Sequence, residues 1–262
     1  IGAGFHSDFY LDHDNNGYRY LFREKDKETG ECKAVFSKNG KGDITKFLDD
    51  YLDELKAIKG KGYISFITCN HDTPRMTKMF SPLEAKLAYS FVFLMPGVPF
   101  LYYGDEIGMK FMEGLQSKEG GFSRTGTRTP MQWDDSANHG FSTASADKLY
   151  LPVDTSADAP TVSAQEKDED SILNTIRKVI KLRHENEDLQ SDGDFEVVYA
   201  ESGKYPFIFK RGKFVIAVNP TDKEQKAPCK FDGEQVFAIG KACVENEEIT
   251  MLPQSLVVIK VD

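Results

Sequence analysis

Four cysteines and one tryptophan are all that 262 residues carry of these two types, and no two of the cysteines stand at a CxxC spacing. Cys32, Cys69, Cys229 and Cys243 lie far apart, which argues against a zinc site and predicts free thiols in the interior. Cys69 falls inside an apolar run and is expected in the core. No metal and no cofactor is expected. Runs of Lys and Arg are missing as well. Together with a net charge of -9 this argues against a nucleic-acid partner, since phosphate binding needs a basic surface. The longest apolar stretch, "AYSFVFLMPGVPFLYYG", is broken by Pro96, Gly97 and Pro99, so no membrane span is expected. There is no internal repeat and no low-complexity tract. An initiator Met, a basic leader and an apolar signal segment are also lacking. The start at Ile1 reads as a cut in a longer parent, which leaves localisation open between cytoplasm and export.

What is present is enough for a core: 40% of the residues are hydrophobic and 12% aromatic. "GFHSDFYLDHD" alternates from Phe5 to Leu11 and predicts a strand. "NNGYRY" and residues 24 to 42 read as loop. Asp43 is placed to cap a helix over residues 44 to 58, with Phe47, Leu48, Tyr51, Leu52 and Leu55 at helical spacing. "YISFITC" is an apolar, β-branched run of the kind buried on both faces of a parallel sheet. Ser81, Pro82 and Glu84 form an N-cap, first-turn proline and capping-box glutamate, which opens a helix to about Leu94. "VPFLYY" is the next buried strand, closed by Gly104. Residues 110 to 169 are long, polar and weakly periodic, which is uncommon in a compact domain unless they serve function. "SILNTIRKVIKLRHEN" predicts an amphipathic helix. After Gly193 the texture changes to short alternating strands, "FEVVYA", "PFIFK", "KFVIAVN", "QVFAIG" and "SLVVIKV". The "KRGK" turn joins two of them as a hairpin.

Alternating strands and helices imply parallel βαβ units, here three, followed by a small antiparallel β-domain over residues 193 to 262. In α/β folds the ligand-facing loops lie at the carboxyl ends of the strands. His71–Asp72 and Asp105–Glu106 both sit there, and the rim of a shared site is the economical reading.

Three blocks, "NHDTPR", "MPGVPFLYYGDEIGM" and "RTPMQWD", in that order, closely resemble the α-amylase family of glycoside hydrolases (family 13). Within that family the chain is most similar to the α-glucosidase and oligo-1,6-glucosidase branch, whose "RTPMQWDDS…GFS", "LPV" and "LR.EN" segments it shares. The resemblance covers nearly the whole chain. It implies an α/β fold, a (β/α)8 barrel followed by an antiparallel β-sandwich domain. This sequence would supply barrel strand 6 near residues 5 to 11, strand 7 at 63 to 69 and strand 8 at 98 to 103, with residues 1–192 the partial catalytic barrel and 193–262 the C-terminal domain. The family's nucleophile, an Asp after strand 4, and its acid/base, a Glu after strand 5, have no counterpart: no "GxRxD" and no matching Glu segment precedes residue 70. The resemblance therefore implies the carboxyl-terminal half of a retaining enzyme acting on α-glucosidic bonds.

Retention needs two carboxyl groups about 5–5.5 Å apart. Asp72 resembles the family's third carboxylate, which binds the ring hydroxyls of the glucosyl unit as the ring flattens. It is the catalytic candidate. His71 resembles a donor to the same sugar, and Arg128 an arginine that helps close the glucose pocket; both are substrate-binding candidates. The bland rival for Asp72 is an Asx turn formed with Thr73 and Pro74. Asn70 is expected to brace the turn, Arg75 to make a structural ion pair, Asp105 and Glu106 to shape their loop, and Trp133 to pack. "KFMEGLQSKEGGFSRTGT" is shorter than the matching insert of oligo-1,6-glucosidases, which leaves linkage and chain-length preference open.

The expected partners are an α-glucan or α-glucoside oligosaccharide, and either the missing N-terminal half of the barrel or a second copy. The alternative from another class is a non-catalytic amylase-like domain, as in transporter-associated proteins. A stand-alone carbohydrate-binding unit fits least, because the β-domain shows no evident aromatic platform.

Overall fold

The computed structural model describes residues 6–10, 16–118 and 124–262. The ends of the first expected strand, Phe5 and Leu11, and the middle of the "KFMEGLQSKEGGFSRTGT" segment lie outside the described residues. The elements run β1 (Ser7–Tyr10), α1 (Tyr18–Phe22), α2 (Ile44–Ile58), β2 (Tyr63–Ile67), α3 (Pro82–Leu94), β3 (Val98–Phe100), α4 (Val162–Gln165) and α5 (Ile172–Glu185), followed by β4 to β11. β1, β2 and β3 form one sheet in that order, and β1 pairs with β2 in parallel, Ser7 opposite Tyr63. Two compact units make up the chain: Ile1–Phe66 with Leu87–Pro99 and Lys178–Asp262, and Ile67–Lys86 with Phe100–Arg177.

In the first unit, α2 starts where its cap predicts: the Asp43 side chain accepts from the backbone N–H of Thr45. Its apolar face buries Ile44, Phe47, Leu48 and Tyr51, each contributing about 1.5–3 kcal/mol of transfer free energy. The Tyr51 and Phe66 rings lie 5.7 Å apart. "NNGYRY" is not all loop. Tyr18–Phe22 forms a short helix whose Tyr18, Leu21 and Phe22 are buried, and the Tyr18 ring packs on Phe22 and Phe66. Five residues are too few to show helical periodicity, so the apolar spacing reads as loop until Phe66 is there to pack on.

Two arginines finish this unit's interior. Arg183 donates to the carbonyls of Phe93, Met95 and Gly97, and Arg211 to those of Leu94, Gln190 and Asp194. They satisfy the orphan C=O groups at the end of α3. Burial lowers both guanidinium groups to about 10, Arg211 further through Arg183, and leaves them charged at neutral pH.

The same unit holds β4 (Glu196–Tyr199), β5 (Phe207–Arg211), β6 (Phe214–Asn219), β7 (Gln225–Pro228), β8 (Glu234–Ile239), β9 (Ala242–Glu245), β10 (Glu248–Met251) and β11 (Ser255–Lys260). They form a five-stranded antiparallel sheet, β4-β5-β6-β11-β8, and a three-stranded one, β7-β10-β9. Ile208, Val215, Ala217, Val257 and Ile259 of the larger sheet share one core with Ala227, Ile249 and Met251 of the smaller. This is a sandwich. The five expected strands are present, and the whole smaller sheet is additional. The "KRGK" turn joins β5 and β6, with Arg211 opposite Phe214.

In the second unit, Ser81 and Glu84 form the expected capping box: the Ser81 N–H donates to Glu84 at 2.8 Å and the Glu84 N–H to the Ser81 hydroxyl at 3.4 Å. β3 ends at Phe100, short of the expected residue 103. Ile107, Met109, Met131 and Leu173 make a small core of their own, with Val162 against it. The described residues of the polar stretch from 110 onward carry short 3-10 turns, such as Thr125–Thr127 and Ala146–Lys148, and α4. Among the described residues no helix is long and apolar enough to cross a membrane. Cys69 and Cys229 are buried thiols outside any disulfide, as expected, whereas Cys243 is exposed and Cys32 half-buried.

Candidate functional site

The loop after β2 is shaped by Asn70. Its Oδ1 accepts the backbone N–H groups of Asp72 (2.8 Å) and Thr73 (2.9 Å), while the Asn70 N–H donates to the Thr73 hydroxyl at 3.0 Å. The Asx turn therefore belongs to Asn70, which leaves the Asp72 carboxylate free to face outward. It is half-exposed, and its partners are side chains. Arg124 Nη1 bonds Oδ1, Arg128 Nη2 reaches the same oxygen at 3.1 Å, and His71 Nε2 lies 3.2 Å from Oδ2. Arg128 Nε also donates to the His71 carbonyl at 2.8 Å, so one guanidinium ties both residues. Partial loss of hydration opposes ionisation of Asp72. Arg124, His71 and Arg128 outweigh it and hold the carboxyl below its usual range.

The three candidates His71, Asp72 and Arg128 are thus brought together. Arg124 was not among them. Its signal was its spacing: the 3-10 turn Thr125–Thr127 places Arg124 and Arg128 at either end of one turn, with Thr127 N–H on the Arg124 carbonyl and Arg128 N–H on that of Thr125, both 3.0 Å. Gly126 is required there because a Cβ would come within 2.1 Å of the Met112 carbonyl oxygen.

Arg75 aligns this turn with the Asp72 loop. It is fully buried and donates to Asp105 Oδ1 (2.9 Å), the Tyr103 carbonyl (2.7 Å) and the Thr127 carbonyl (3.1 Å). The Thr127 hydroxyl in turn donates to the Thr73 carbonyl at 3.2 Å. Burial opposes the charge on Arg75, but Asp105 more than offsets it and raises the guanidinium's proton affinity. Asp105 also accepts from the Thr68 hydroxyl (2.6 Å) and the Cys69 thiol (3.2 Å). Gly104, at φ 83°, lets the chain turn so tightly; a Cβ there would meet Met109 Sδ at 2.3 Å.

Arg75 and Asp105 therefore make the expected structural pair. The first reading of Asp105 as an acid on the rim does not hold: its carboxylate is inside, saturated by donors. Glu106 is partly buried, which raises its carboxyl's affinity for the proton. Trp133 is also corrected. Its ring is 49% exposed and is not packing material. Its backbone is fixed, the N–H donating to the His139 carbonyl and the C=O accepting from Ser163, so the ring is held outward.

With one ionised carboxylate, two guanidinium groups and an imidazole at its edge, the site can bind hydroxyl groups as both acceptor and donor. Nothing in it pairs two carboxyl groups at nucleophile and acid/base positions.

A family model for the alpha-amylase catalytic domain matches residues 6–192. Among curated proteins the chain is 30% identical to an alpha-glucosidase of Apis mellifera over 164 residues, 58% of this chain and 28% of that protein. It is 26% identical to a probable oligo-1,6-glucosidase of Bacillus subtilis over 242 residues, 78% and 41%. It is 27% identical to a glucan 1,6-alpha-glucosidase of Streptococcus dysgalactiae over 261 residues, 86% and 45%. The chain thus spans less than half the length of these relatives. Among solved structures, a mutant of the trehalulose synthase MutB superposes with a TM-score of 0.70 at 22% identity, over 84% of this chain and 47% of that one. An isomaltulose synthase from Erwinia rhapontici NX5 does so at 0.70 and 18%, over 84% and 46%. These two likenesses establish a shared fold. With most of its length matched by the catalytic-domain model and its relatives drawn from glucosidases, the chain belongs to the alpha-amylase family of glycoside hydrolases, family 13, on the α-glucosidase and oligo-1,6-glucosidase branch.

Proposed function

We propose that this chain forms the sugar-holding part of a retaining α-glucosidase-type active site. The observation that carries the reading is the half-exposed Asp72 carboxylate, held ionised at the end of β2 between Arg124 and Arg128 with His71 beside it. In this reading Asp72 accepts the hydroxyls of the glucosyl ring, His71 donates to the same ring, and Arg128 closes the pocket. A fixed negative charge gains in strength as the ring becomes oxocarbenium-like, so it favours the transition state over the ground state. β1, β2 and β3 take the places of barrel strands 6, 7 and 8. Residues 1–192 form the barrel part, and residues 193–262 the C-terminal sandwich.

The nucleophile and the acid/base are not supplied by these residues, so the chain by itself binds without cleaving. The outer edges of β1 and β3 call for further strands, from an N-terminal barrel half or a second copy. The relatives' names support α-glucosides as the substrate class, with 1,6-linked glucosides the first to try.

The test is ligand-observed NMR of the purified chain with isomaltose, alongside a chromogenic aryl α-glucoside. We expect a sugar signal that Asp72→Asn abolishes and no release of the chromophore. Turnover by this chain alone, or isomaltose binding untouched by Asp72→Asn, would overturn the reading. In a longer form that carries both missing carboxylates, Asp72→Asn should lower turnover more than ground-state binding.

A further inference from the structure

We infer that His139 is a protonation-dependent clasp: its imidazolium ties the turn that follows Trp133 to the segment around Asp154, and the neutral ring releases one of the two ties. The inference goes beyond the proposed function and does not rest on it. It starts from what the ring touches. His139 Nδ1 lies 3.2 Å from the Asp134 carbonyl oxygen, and Nε2 lies 2.6 Å from the Asp154 carbonyl oxygen. A carbonyl oxygen only accepts, so each contact needs an N–H on the ring. Neutral imidazole has one N–H, and only the imidazolium has two. Turning the ring over does not help, since ring carbons would then face both oxygens.

The backbone gives the clasp something to hold. Asn138 and His139 both lie in the left-handed region at φ 53°, followed by Gly140 at 71°. A histidine there is uncommon, and the surrounding bonds must offset the cost of the conformation. Asn138 contributes by donating Nδ2 to the carbonyls of Ser142 (2.9 Å) and Ala144 (2.7 Å). His139 contributes through its ring. Its own carbonyl accepts the Trp133 N–H at 2.8 Å and the Asp134 N–H at 3.3 Å, so the turn closes back on Trp133. The Trp133 carbonyl is held separately, by the N–H of Ser163 in α4 at 2.9 Å. Losing a ring bond therefore loosens one side of Trp133 while α4 keeps the other.

Acids flank the ring on both sides. Asp134, from its own turn, brings a carboxylate as well as a carbonyl. The Ser136 hydroxyl and N–H hold that carboxyl below its usual range, with the His139 charge adding to them. Asp154 brings a second carboxyl from the far side. Its Oδ1 accepts the Ser156 N–H (2.9 Å) and hydroxyl (2.6 Å), while its Oδ2 is buried with no donor among the described residues. A cation between two acids is favoured over a neutral ring. Asp134 keeps its charge throughout the interval in which histidine changes its own, so it cannot produce the transition. Raising the pH passes the ring proton to water and leaves one N–H for two carbonyls.

Trp133 is the chain's single tryptophan, so its emission reports on this turn alone. The experiment follows the full chain from about pH 5 to about pH 8, where histidine charge changes. Ring nitrogen shifts of His139 by NMR separate the imidazolium from either neutral tautomer. Trp133 fluorescence and hydrogen exchange of the Trp133 amide, corrected for its intrinsic pH dependence, read the turn. We expect both ring nitrogens to be protonated at the acid end. As the proton leaves, Trp133 emission should shift at the same midpoint, and its amide should exchange roughly threefold to tenfold faster, the worth of one hydrogen bond. His139→Gln, shown to be folded by circular dichroism, should lack the step. A ring that titrates while Trp133 emission and exchange stay unchanged would overturn the clasp. So would a ring that holds a single proton throughout, or a His139→Gln chain that keeps the step. Should His139→Gln fail to fold, the two wild-type outcomes still decide it.

Discussion

Asp72 and Asp105 each follow the end of a strand in the same three-stranded sheet, and each meets arginine, yet their surroundings differ in almost every other respect. Asp105 is sealed, with one guanidinium, a hydroxyl and a thiol arranged around it and no exposure. Asp72 keeps close to half of its side chain open, and its arginines approach from an outlying turn. The buried pair fixes where the loops go, while the open cluster keeps a charge available to a ligand. An acid after a strand is thus not by itself a sign of chemistry. The number of donors that saturate it, and whether solvent still reaches it, separate the two cases.

The largest expected effect comes from breaking the buried side. Arg75→Met takes the counter-charge from the buried Asp105 and should cost roughly 3–5 kcal/mol in chemical denaturation, whereas the double change Arg75→Met with Asp105→Leu should recover much of it. If the single change proves harmless, the pair is not what joins the loops. A smaller loss is expected at the start of α3, where Ser81→Ala removes one side of a capping box and should cost about 1 kcal/mol, read as a lower midpoint with an unchanged slope. Next comes a titration. Because Asp72 is held below the ordinary carboxylate range, any stability it lends is present above that range and fades as pH falls through its own lower value. The Asp72 carboxyl carbon should titrate late on acidification, and Arg124→Ala should move it back toward the ordinary range; an unmoved signal would remove Arg124 from the cluster. The smallest effect is Asp72→Asn on folding. At so open a position the denaturation midpoint should not shift measurably, in contrast to Arg75→Met.

Much of this could be read before any coordinates. Asp43 and Ser81–Pro82–Glu84 announce helix starts with side-chain chemistry that acts locally, so α2 and α3 begin where expected. Asp72, His71 and Arg128 came from matched blocks. Arg124 was overlooked because its spacing from Arg128 brings both arginines to the carboxylate only once residues 125–127 close as a 3-10 turn. β7, β9 and β10 escaped for another reason. They are four residues each, and "QKAP", "ACVE" and "EITM" mix charge with small or β-branched residues, so alternation is faint. Only their shared core with β5, β6 and β11 makes them strands. Trp133 was assigned to packing on residue type alone, and the backbone bonds that turn it outward come from distant residues.

The two arginines at the end of α3 also set an order of events. α3 closes at Leu94, but the donors for the carbonyls at its exit arrive 86 to 117 positions later, on Arg183 and Arg211. A ribosome delivers α3 well before either. Until β5 has emerged, the Leu94 carbonyl must keep water as its partner, and the surrounding apolar surface cannot close over it. The sandwich strand that carries Arg211 is thus a late step in finishing a helix made much earlier. A nascent chain stalled between Glu185 and Arg211 should be protease-sensitive at residues 93–97 and protected once Arg211 is free of the tunnel.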